Sequence, residues 1–325
     1  MDVIDIHPQL LQLARRQAGL VSSGQCDAHG VTNGRRRRLV ATGRWQRVTR
    51  GVFDTGCSEP GLHPYDRSRL RSAWLALLAY PGSAAVGACA LALLGVAGLP
   101  SAITPEAAFA NGSGRESRDG ILLRQYRAFP RVAVGDHFAA EPAHALAQAL
   151  PQLDREHGVA VMDSLQNKRI LTPSGMRTAQ RLAENRRYRT TSRPWWGQHD
   201  GRSQSPVETV ARLRLMDAGI GPDDLQRDLF DATGQFLGRA DLAWHLGTGR
   251  WLLVEVDSDE FHSSPEQVRR DAVRQNRLLR DGRHVLLRFF ARQVHEGTMV
   301  GTVRSVLDRE GWVPARPIPP PVRRR

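Results

Sequence analysis

The segment WLLVEVDSDEFHSS, residues 251–264, most constrains the fold, because it begins as a buried strand and then carries four acids and a histidine. Alternate side chains of a strand share one face, so Glu255 and Asp257 lie on the side of Leu253. Two carboxylates therefore leave the core next to each other. Like charges in a partly buried place repel unless a proton, a cation or an arginine separates them. The rest of the chain must supply that separating group.

A second acid is predicted to face this strand. The loop GTG, residues 247–249, joins two strand patterns, and a three-residue loop with glycine last fixes the register of a hairpin. Asp241 then lies opposite Glu255, with about 5 Å between the Cβ atoms. A divalent cation best relieves this repulsion, because Mg²⁺ binds carboxylate oxygens. The same register places Arg239 opposite Asp257 and predicts an ion pair between them.

The last third of the chain alternates helical and strand patterns. Caps and closing glycines set the ends of its helices, and apolar runs mark its strands. The predicted elements are a helix from Ser205 to about Ala218, strands at 225–231, 236–246 and 250–257, a helix from Pro265 to Asp281, a strand at 284–290 and a helix from about Thr298 to Glu310. This order, αβββαβα, makes residues 205–313 one α/β domain.

Residues 1–60 predict a winged helix-turn-helix DNA-binding domain. A helix is expected over residues 7–19, a second after Ser22 or Ser23, and a third from Thr32. Residues 44–56 alternate in the manner of a small β-hairpin. Three helices and a hairpin within about fifty residues are typical of a winged helix-turn-helix.

Arginines are concentrated in this first domain. Between His7 and Phe53 there are nine arginines and one acid, Asp27. Guanidinium groups on a recognition helix and a wing reach phosphates and guanine edges. The predicted DNA-binding residues are Arg35, Arg36, Arg37, Arg38, Arg44, Arg47 and Arg50. A solvated basic face and an acidic protein partner are the alternatives, but charge on both helix and wing favours DNA.

Residues 61–185 are predicted to be a middle mixed α/β region without a catalytic constellation. Its expected elements are a buried helical hairpin within 72–105, a strand at 120–127 and helices near 141–150, 155–167 and 173–185. Residues 186–204 are polar, basic and interrupted by Pro and Gly, which predicts an interdomain linker. Residues 314–325 are rich in Pro and Arg, and we expect a disordered tail.

Composition favours a cytoplasmic protein that binds a polyanion. The chain of 325 residues has a formal net charge of +13, and such a surplus points most often to nucleic acid. Three cysteines without CxxC spacing predict neither a disulfide framework nor a zinc site. We expect no signal peptide, because residues 1–20 lack a continuous apolar core. We also expect no membrane span, because the apolar stretch 83–99 is too short.

Two parts of the chain resemble known families. Residues 205–313 resemble the PD-(D/E)XK nuclease superfamily, and within it the very-short-patch-repair-like endonucleases, through SPVETVARLRL, GRADLAW, LLVEVDSDEFH, RRDAVRQNRLLRDG and HVLLRFF in that order. Residues 7–56, and more loosely the middle region, resemble AbiEi-type antitoxins. The first resemblance implies a restriction-endonuclease-like fold and Mg²⁺-dependent DNA hydrolysis. The second implies DNA binding by a winged helix and transcriptional autoregulation.

The nuclease resemblance also implies a set of catalytic residues. Asp241 and Glu255 would hold Mg²⁺ with help from the Val256 carbonyl, and Glu208 would lie near the metal or orient its water. His262 would act as general base or leaving-group acid, because the reference pKa of histidine lies near neutral pH.

The chain departs from the superfamily pattern at one position. Asp257 stands where the signature has lysine, and no lysine follows Lys168. Other roles also remain open for two of the predicted residues. Glu208 is the fourth residue of a Ser205-Pro-Val-Glu capping-box pattern, which predicts helix capping as well as it predicts chemistry. His262 is equally compatible with an ordinary loop position.

The sequence therefore supports competing functions. The first is a metal-dependent DNA endonuclease that uses Mg²⁺ or Mn²⁺ and is targeted by the winged helix. The alternative is a non-catalytic DNA-binding regulator of antitoxin type with a degenerate nuclease fold. The missing lysine favours the regulator, and the retained Asp241 and Glu255 favour the enzyme. A third function is a nucleic-acid-binding scaffold for a toxin or another regulatory protein.

Overall fold

The structure is a computed structural model, and it describes residues 6–57, 59–126, 128–186, 189–230, 234–257 and 284–314. The chain divides into two compact units. The first comprises Met1–Val161 and Ile170–Trp196, and the second comprises Met162–Arg169 and Gly197–Arg325. The predicted winged-helix region and most of the middle region thus belong to the first unit, whereas residues 162–169 of the middle region belong to the second.

The N-terminal part of the first unit has the predicted three helices and hairpin. Its elements are α1 (Pro8–Arg16), β1 (Leu20–Ser22), α2 (Ser23–Ala28), α3 (Asn33–Ala41), β2 (Gln46–Thr49) and β3 (Val52–Asp54). Ser22 caps α2 in a capping box with Gln25, and the Thr32 side chain caps α3. Sequence patterns missed β1, which pairs with β3 and completes a sheet in the order β1-β3-β2. This arrangement fits a winged helix.

The middle region of the chain is a five-stranded sheet with helices. Its elements are α4 (Pro64–Ala79), β4 (Ala84–Ala85), α5 (Gly87–Leu93), β5 (Glu106–Ala108), β6 (Leu122–Leu123), β7 (Arg131–Val134), β8 (His137–Ala140), α6 (Pro142–Ala149), α7 (Arg155–Asn167) and α8 (Pro173–Glu184). The strand order is β6-β5-β4-β8-β7. The expected helical hairpin is a helix, a short strand and a helix. Within the described residues, no helix is long and apolar enough to cross a membrane.

The segment expected to be a linker is largely ordered structure. It contains α9 (Arg189–Ser192) and a 3-10 turn, Arg193–Gly197. Trp195 is only 5% exposed, so this end of the segment belongs to a core. A Cβ at Gly158 would lie 2.6 Å from the Trp195 ring, which explains why glycine is required there. One of the divisions between the two units falls after Trp196, inside the predicted linker.

The second unit contains a four-stranded sheet with the order β12-β11-β10-β9. Its elements are α10 (Pro206–Asp217), β9 (Asp224–Phe230), β10 (Phe236–Gly247), β11 (Arg250–Asp257), β12 (His284–Phe290), α11 (Ala291–Glu296) and α12 (Thr298–Arg309). Strands β9, β10 and β11 are antiparallel neighbours, whereas β11 and β12 are parallel. The pattern did not predict α11. The helix expected at 265–281 lies outside the described residues.

The two faces of β11 pack into different clusters, as the alternation along the strand predicts. Val254 and Val256 belong to a cluster that also contains apolar residues of α10 and α12. Leu253 belongs to a second cluster with Ala243 and Trp251. Glu255 therefore lies on the Leu253 face of the sheet.

Candidate functional site

Helix α3 and the β2–β3 hairpin, which we call the wing, present most of the predicted DNA-binding arginines to solvent. Arg35 is half-buried, and its guanidinium donates to the Gly30 carbonyl at 3.2 Å. The exposed arginines are Arg37, Arg38, Arg44, Arg47 and Arg50. They come from the helix, from the wing and from the turn between them. The helix, the wing and the turn between them thus all give this small domain exposed positive charge.

Arg36 is the exception, because it lies inside the domain. It is 6% exposed, and its Nη1 donates to the Val31 carbonyl at 2.7 Å. The same guanidinium pairs with Asp27 and lies over the Phe53 ring at 5.9 Å. These contacts fasten α3 to α2 and the wing. We therefore remove Arg36 from the predicted DNA contacts and assign it a structural role.

The Arg36–Asp27 pair also bears on the charge balance of the domain. Asp27 is the one acid between His7 and Phe53, and it is paired with the one arginine of that segment that is buried. The segment as a whole keeps a large surplus of arginines over acids, and most of those arginines are exposed. This surplus attracts a polyanion such as duplex DNA.

A groove of about 430 Å³ lies between α3 and the wing. Its lining includes Arg37 and Val40 of α3 and Arg47 and Phe53 of the wing. Two arginines from separate elements thus converge on one apolar groove. A strand of nucleic acid that follows this groove would meet a guanidinium from each side, and guanidinium groups match phosphate geometry.

The predicted register of the β10–β11 hairpin is confirmed. Leu242 pairs with Val254, and His245 pairs with Trp251. Asp241 and Glu255 are the next residues outward from the Leu242–Val254 pair. In addition, the Val256 N–H donates to Asp241 Oδ2 at 2.8 Å. The hairpin therefore brings the two predicted carboxylates to the same place on the sheet.

A glutamine connects Asp241 to the third predicted acid. Gln226 Nε2 donates to Asp241 Oδ1 at 2.9 Å and to Glu208 Oε2 at 2.8 Å. Gln226 has a φ of +51°, a backbone conformation uncommon outside glycine. Sequence reasoning missed this residue, because only its partners mark it as part of the cluster. We call Glu208, Gln226, Asp241 and Glu255 the carboxylate cluster.

Glu208 has both a capping role and a perturbed carboxyl group. The Ser205 side chain accepts the Glu208 N–H at 3.2 Å, and the Gln204 N–H donates to Glu208 Oε2 at 2.9 Å. Glu208 is 5% exposed. Burial, together with the negative charge of Asp241, raises the pKa of Glu208 to about 6. The Ser205 side chain caps the helix as predicted, but Glu208 accepts from the Gln204 N–H and not from the Ser205 N–H that a capping box uses, and its side chain also faces a second acid.

Asp257 is paired with a different arginine from the one predicted. Arg239 pairs with Asp228 on β9 at 2.7 Å, not with Asp257. Asp257 instead accepts from Arg288 of β12, including a contact of 3.2 Å from Nη2. Strand β10 has two neighbours, and the prediction considered only β11. The carboxylate of Asp257 thus has a guanidinium beside it.

A buried ion pair holds α10, which carries Glu208. Arg212 Nη2 donates to Asp163 Oδ2 at 2.7 Å, and both side chains are almost fully buried. Thr209 Oγ1 donates to the same carboxylate oxygen at 2.8 Å. Burial raises the pKa of Asp163 to about 6 against the opposing charge of Arg212. No local sequence signal pairs residues this distant in the chain.

The carboxylate cluster has the oxygen donors that Mg²⁺ prefers, but its described residues do not form a complete set of metal ligands. Carboxylate oxygens are the ligands that Mg²⁺ prefers. Within the described residues, no three His, Cys, Asp or Glu side chains converge on a metal position. Asp241 already accepts N–H groups from Gln226 and Val256. A cation would use remaining lone pairs of Asp241 and the carboxylate of Glu255. His262 lies outside the described residues.

Comparison with known proteins gives a family match and two relatives. Residues 8–53 match the family described as "Transcriptional regulator, AbiEi antitoxin". The chain is also 27% identical, over 159 residues, to the Mycobacterium tuberculosis proteins MT2308 and Rv2248, both described as uncharacterized. Each alignment covers 49% of this chain and 57% of the relative. The chain thus spans little more than half the length of these relatives. The family match falls on the winged-helix region.

Proposed function

We propose that this protein is a DNA-binding transcriptional regulator of antitoxin type. The observation that carries the proposal is the set of exposed arginines on α3 and the wing, in a segment whose one acid is paired with Arg36. The family match over residues 8–53 supports the same function. In this proposal α3 enters the major groove and the wing contacts the adjacent backbone. A toxin or another regulatory protein is a second proposed partner, supported only by the family's description.

The experiment is a titration of the full chain with duplex DNA selected from a random pool. Removing two exposed arginines of α3, as in Arg37→Ala with Arg38→Ala, should weaken binding at least tenfold, because each guanidinium that meets a phosphate or a base adds to affinity. The matched control is Arg292→Ala with Arg309→Ala. Those two side chains are 73% and 66% exposed in the second unit, so the control removes the same charge elsewhere. Equal losses of affinity in both variants would contradict binding through α3.

A second candidate function is metal-dependent phosphodiester hydrolysis by the second unit. It is favoured by one observation, the connection of Glu208 to Asp241 through Gln226 beside Glu255. Asp241 and Glu255 would hold Mg²⁺ or Mn²⁺, and such an ion, when bound, supplies electrostatic stabilisation and an activated water. Glu208, joined to Asp241 through Gln226, would lie beside the ion and orient its water.

Cleavage assays test this second candidate. The parent should nick or cleave DNA with Mg²⁺ or Mn²⁺ and be inactive in EDTA. Asp241→Asn and Glu255→Gln should each abolish cleavage while DNA binding is retained, because they keep side-chain size and delete the ligand charge. Asp228→Asn on β9 is the control, since Asp228 pairs with Arg239 outside the cluster. If the parent shows neither metal-dependent cleavage nor binding of a divalent cation by calorimetry, the hydrolysis proposal is contradicted and only the regulator function remains.

A further inference from the structure

The wing is joined to the middle of the first unit by a hydrogen bond between residues far apart in sequence. The Thr49 hydroxyl, at the end of β2, donates to the carboxylate of Asp119. Thr49 is 5% exposed, although it adjoins the exposed Arg50. A hydrogen bond to a charged acceptor is stronger than one between neutral groups. The wing is thus held at the position where its strands turn.

The acceptor lies on a tight turn of defined geometry. Arg118 and Ile121 exchange backbone hydrogen bonds of 3.2 and 2.8 Å across Asp119 and Gly120. Both central residues have positive φ, +51° at Asp119 and +75° at Gly120, as in a type I′ turn. Asp-Gly is a favoured pair for such turns because both residues tolerate positive φ. The carboxylate is therefore presented from a rigid support.

The Arg118–Ile121 turn is anchored to the end of α4. Arg118 Nη2 donates to the Ala79 carbonyl at 2.7 Å, and its guanidinium lies 5.2 Å from the centre of the Tyr80 ring. The Tyr80 hydroxyl donates to the Glu116 carbonyl at 2.7 Å. Arg118 also donates to the Arg50 carbonyl in the wing, at 3.4 Å. These contacts form one continuous connection from the end of α4 to the wing.

The far end of the wing is held by the same helix. Arg71 of α4 pairs with Asp54, the last residue of β3, at 2.8 Å. The wing is thus fixed both at its turn and at its end. A hairpin in isolation is only marginally stable, so such fixation sets the positions of its exposed arginines.

We infer that the Arg118–Ile121 turn is a positioning element for DNA binding, which holds Arg47 and Arg50 of the wing where they meet the DNA backbone. This inference rests on the proposed regulator function. Asp119 and Thr49 are positioning residues and make no contact with DNA themselves. The middle of the first unit thereby sets the affinity of the winged helix.

The sign of one substitution separates positioning from simple electrostatics. Asp119 is an exposed anion close to a basic surface, so its charge alone opposes DNA binding. If the residue were only a surface acid, Asp119→Ala would strengthen binding. If it positions the wing, Asp119→Ala weakens binding despite the gain in net positive charge.

The test uses the full chain and the selected duplex. Thr49→Val and Asp119→Ala should each weaken binding about five- to tenfold, and the double variant should be no weaker than the worse single variant, because both remove one interaction. The plot of log affinity against log salt should become less steep by about one to two units, as expected when the wing reaches one or two fewer phosphates. Thr49→Ser keeps the donor and should bind within about twofold of the parent. Asp119→Asn keeps an acceptor and removes a charge that opposes DNA binding, so it should bind at least as tightly as the parent.

Four outcomes overturn or separate the claims. Unchanged or tighter binding by Asp119→Ala overturns the positioning role. Weaker binding with an unchanged salt slope, or a loss of affinity that Thr49→Ser and Asp119→Asn share, also overturns it. A parent that binds no duplex contradicts the proposed regulator function itself, and this result is distinct from a failure of the variants. Thermal unfolding of each variant checks whether the first unit remains folded.

Discussion

Adjacent arginines of α3 have opposite environments, although the sequence presents them as one run. Arg36 is buried and paired, while Arg37 and Arg38 are exposed. The helical period explains the difference, because Arg36 lies one turn before Leu39, which is fully buried. That spacing was visible in the sequence and identifies which arginine faces inward. The sequence did not reveal that Asp27 is the partner of Arg36, because that pairing depends on how α2 packs against α3.

The protonation of Glu208 links the carboxylate cluster to stability. Its pKa is about 6 in the folded chain, above the ordinary value of 4.5. A carboxyl group with a raised folded pKa stabilises the protein fully below its unfolded pKa, and this contribution is lost as pH rises through the folded pKa. The second unit should therefore lose stability between about pH 4.5 and pH 7 through this group.

The variant Glu208→Gln tests this linkage. It should be more stable than the parent at about pH 8 by about 1–2 kcal/mol, because it removes the cost of a buried charge. It should also show a flatter dependence of unfolding temperature on pH. Glu296→Gln, at an exposed ion pair with Arg292, should keep the parental dependence. A Glu208→Gln profile parallel to that of the parent would show that Glu208 does not titrate in this pH range.

At the scale of elements, signals within one turn or one loop predicted helix starts and a hairpin register, whereas contacts between distant segments were not predicted. Side chains at Ser22, Thr32, Thr172 and Ser205 cap helices at the predicted starts, because a cap acts within one turn. The register predicted for β10 and β11 holds from Leu242 to His245, although Gly247 pairs with Arg250 and only residues 248–249 lie between the strands, where a three-residue loop was expected. Strands such as β4 and β5 have only two and three residues, so they lack the alternation that identifies a strand.

Contacts between distant elements account for what the sequence did not reveal in the candidate sites. Asp241 and Glu255 were predicted because one hairpin contains both. Gln226, by contrast, belongs to the cluster through β9, and Arg288 meets Asp257 through a parallel strand. The register of a parallel pair has no short loop to fix it. Its partners follow from the folded sheet alone.

At the scale of the whole molecule, the chain has two compact units where three separate domains were expected. The winged helix and the five-stranded sheet belong to the same unit, and contacts through Arg118 and Arg71 join them. The family match over residues 8–53 covers only part of that unit. DNA binding should therefore be measured on the full chain, because the isolated N-terminal segment lacks the contacts that hold its wing.

Hydrogen exchange of the full chain, with and without the selected duplex, tests the central claim most directly. Bound DNA shields backbone amides and suppresses local opening where it contacts the protein. We predict added protection in peptides that cover α3, Asn33–Ala41, and the wing, Gln46–Asp54, at moderate salt. The protection should decrease as salt rises, in step with affinity. Protection confined to residues 197–325, with none in α3 or the wing, would contradict DNA recognition by the winged helix.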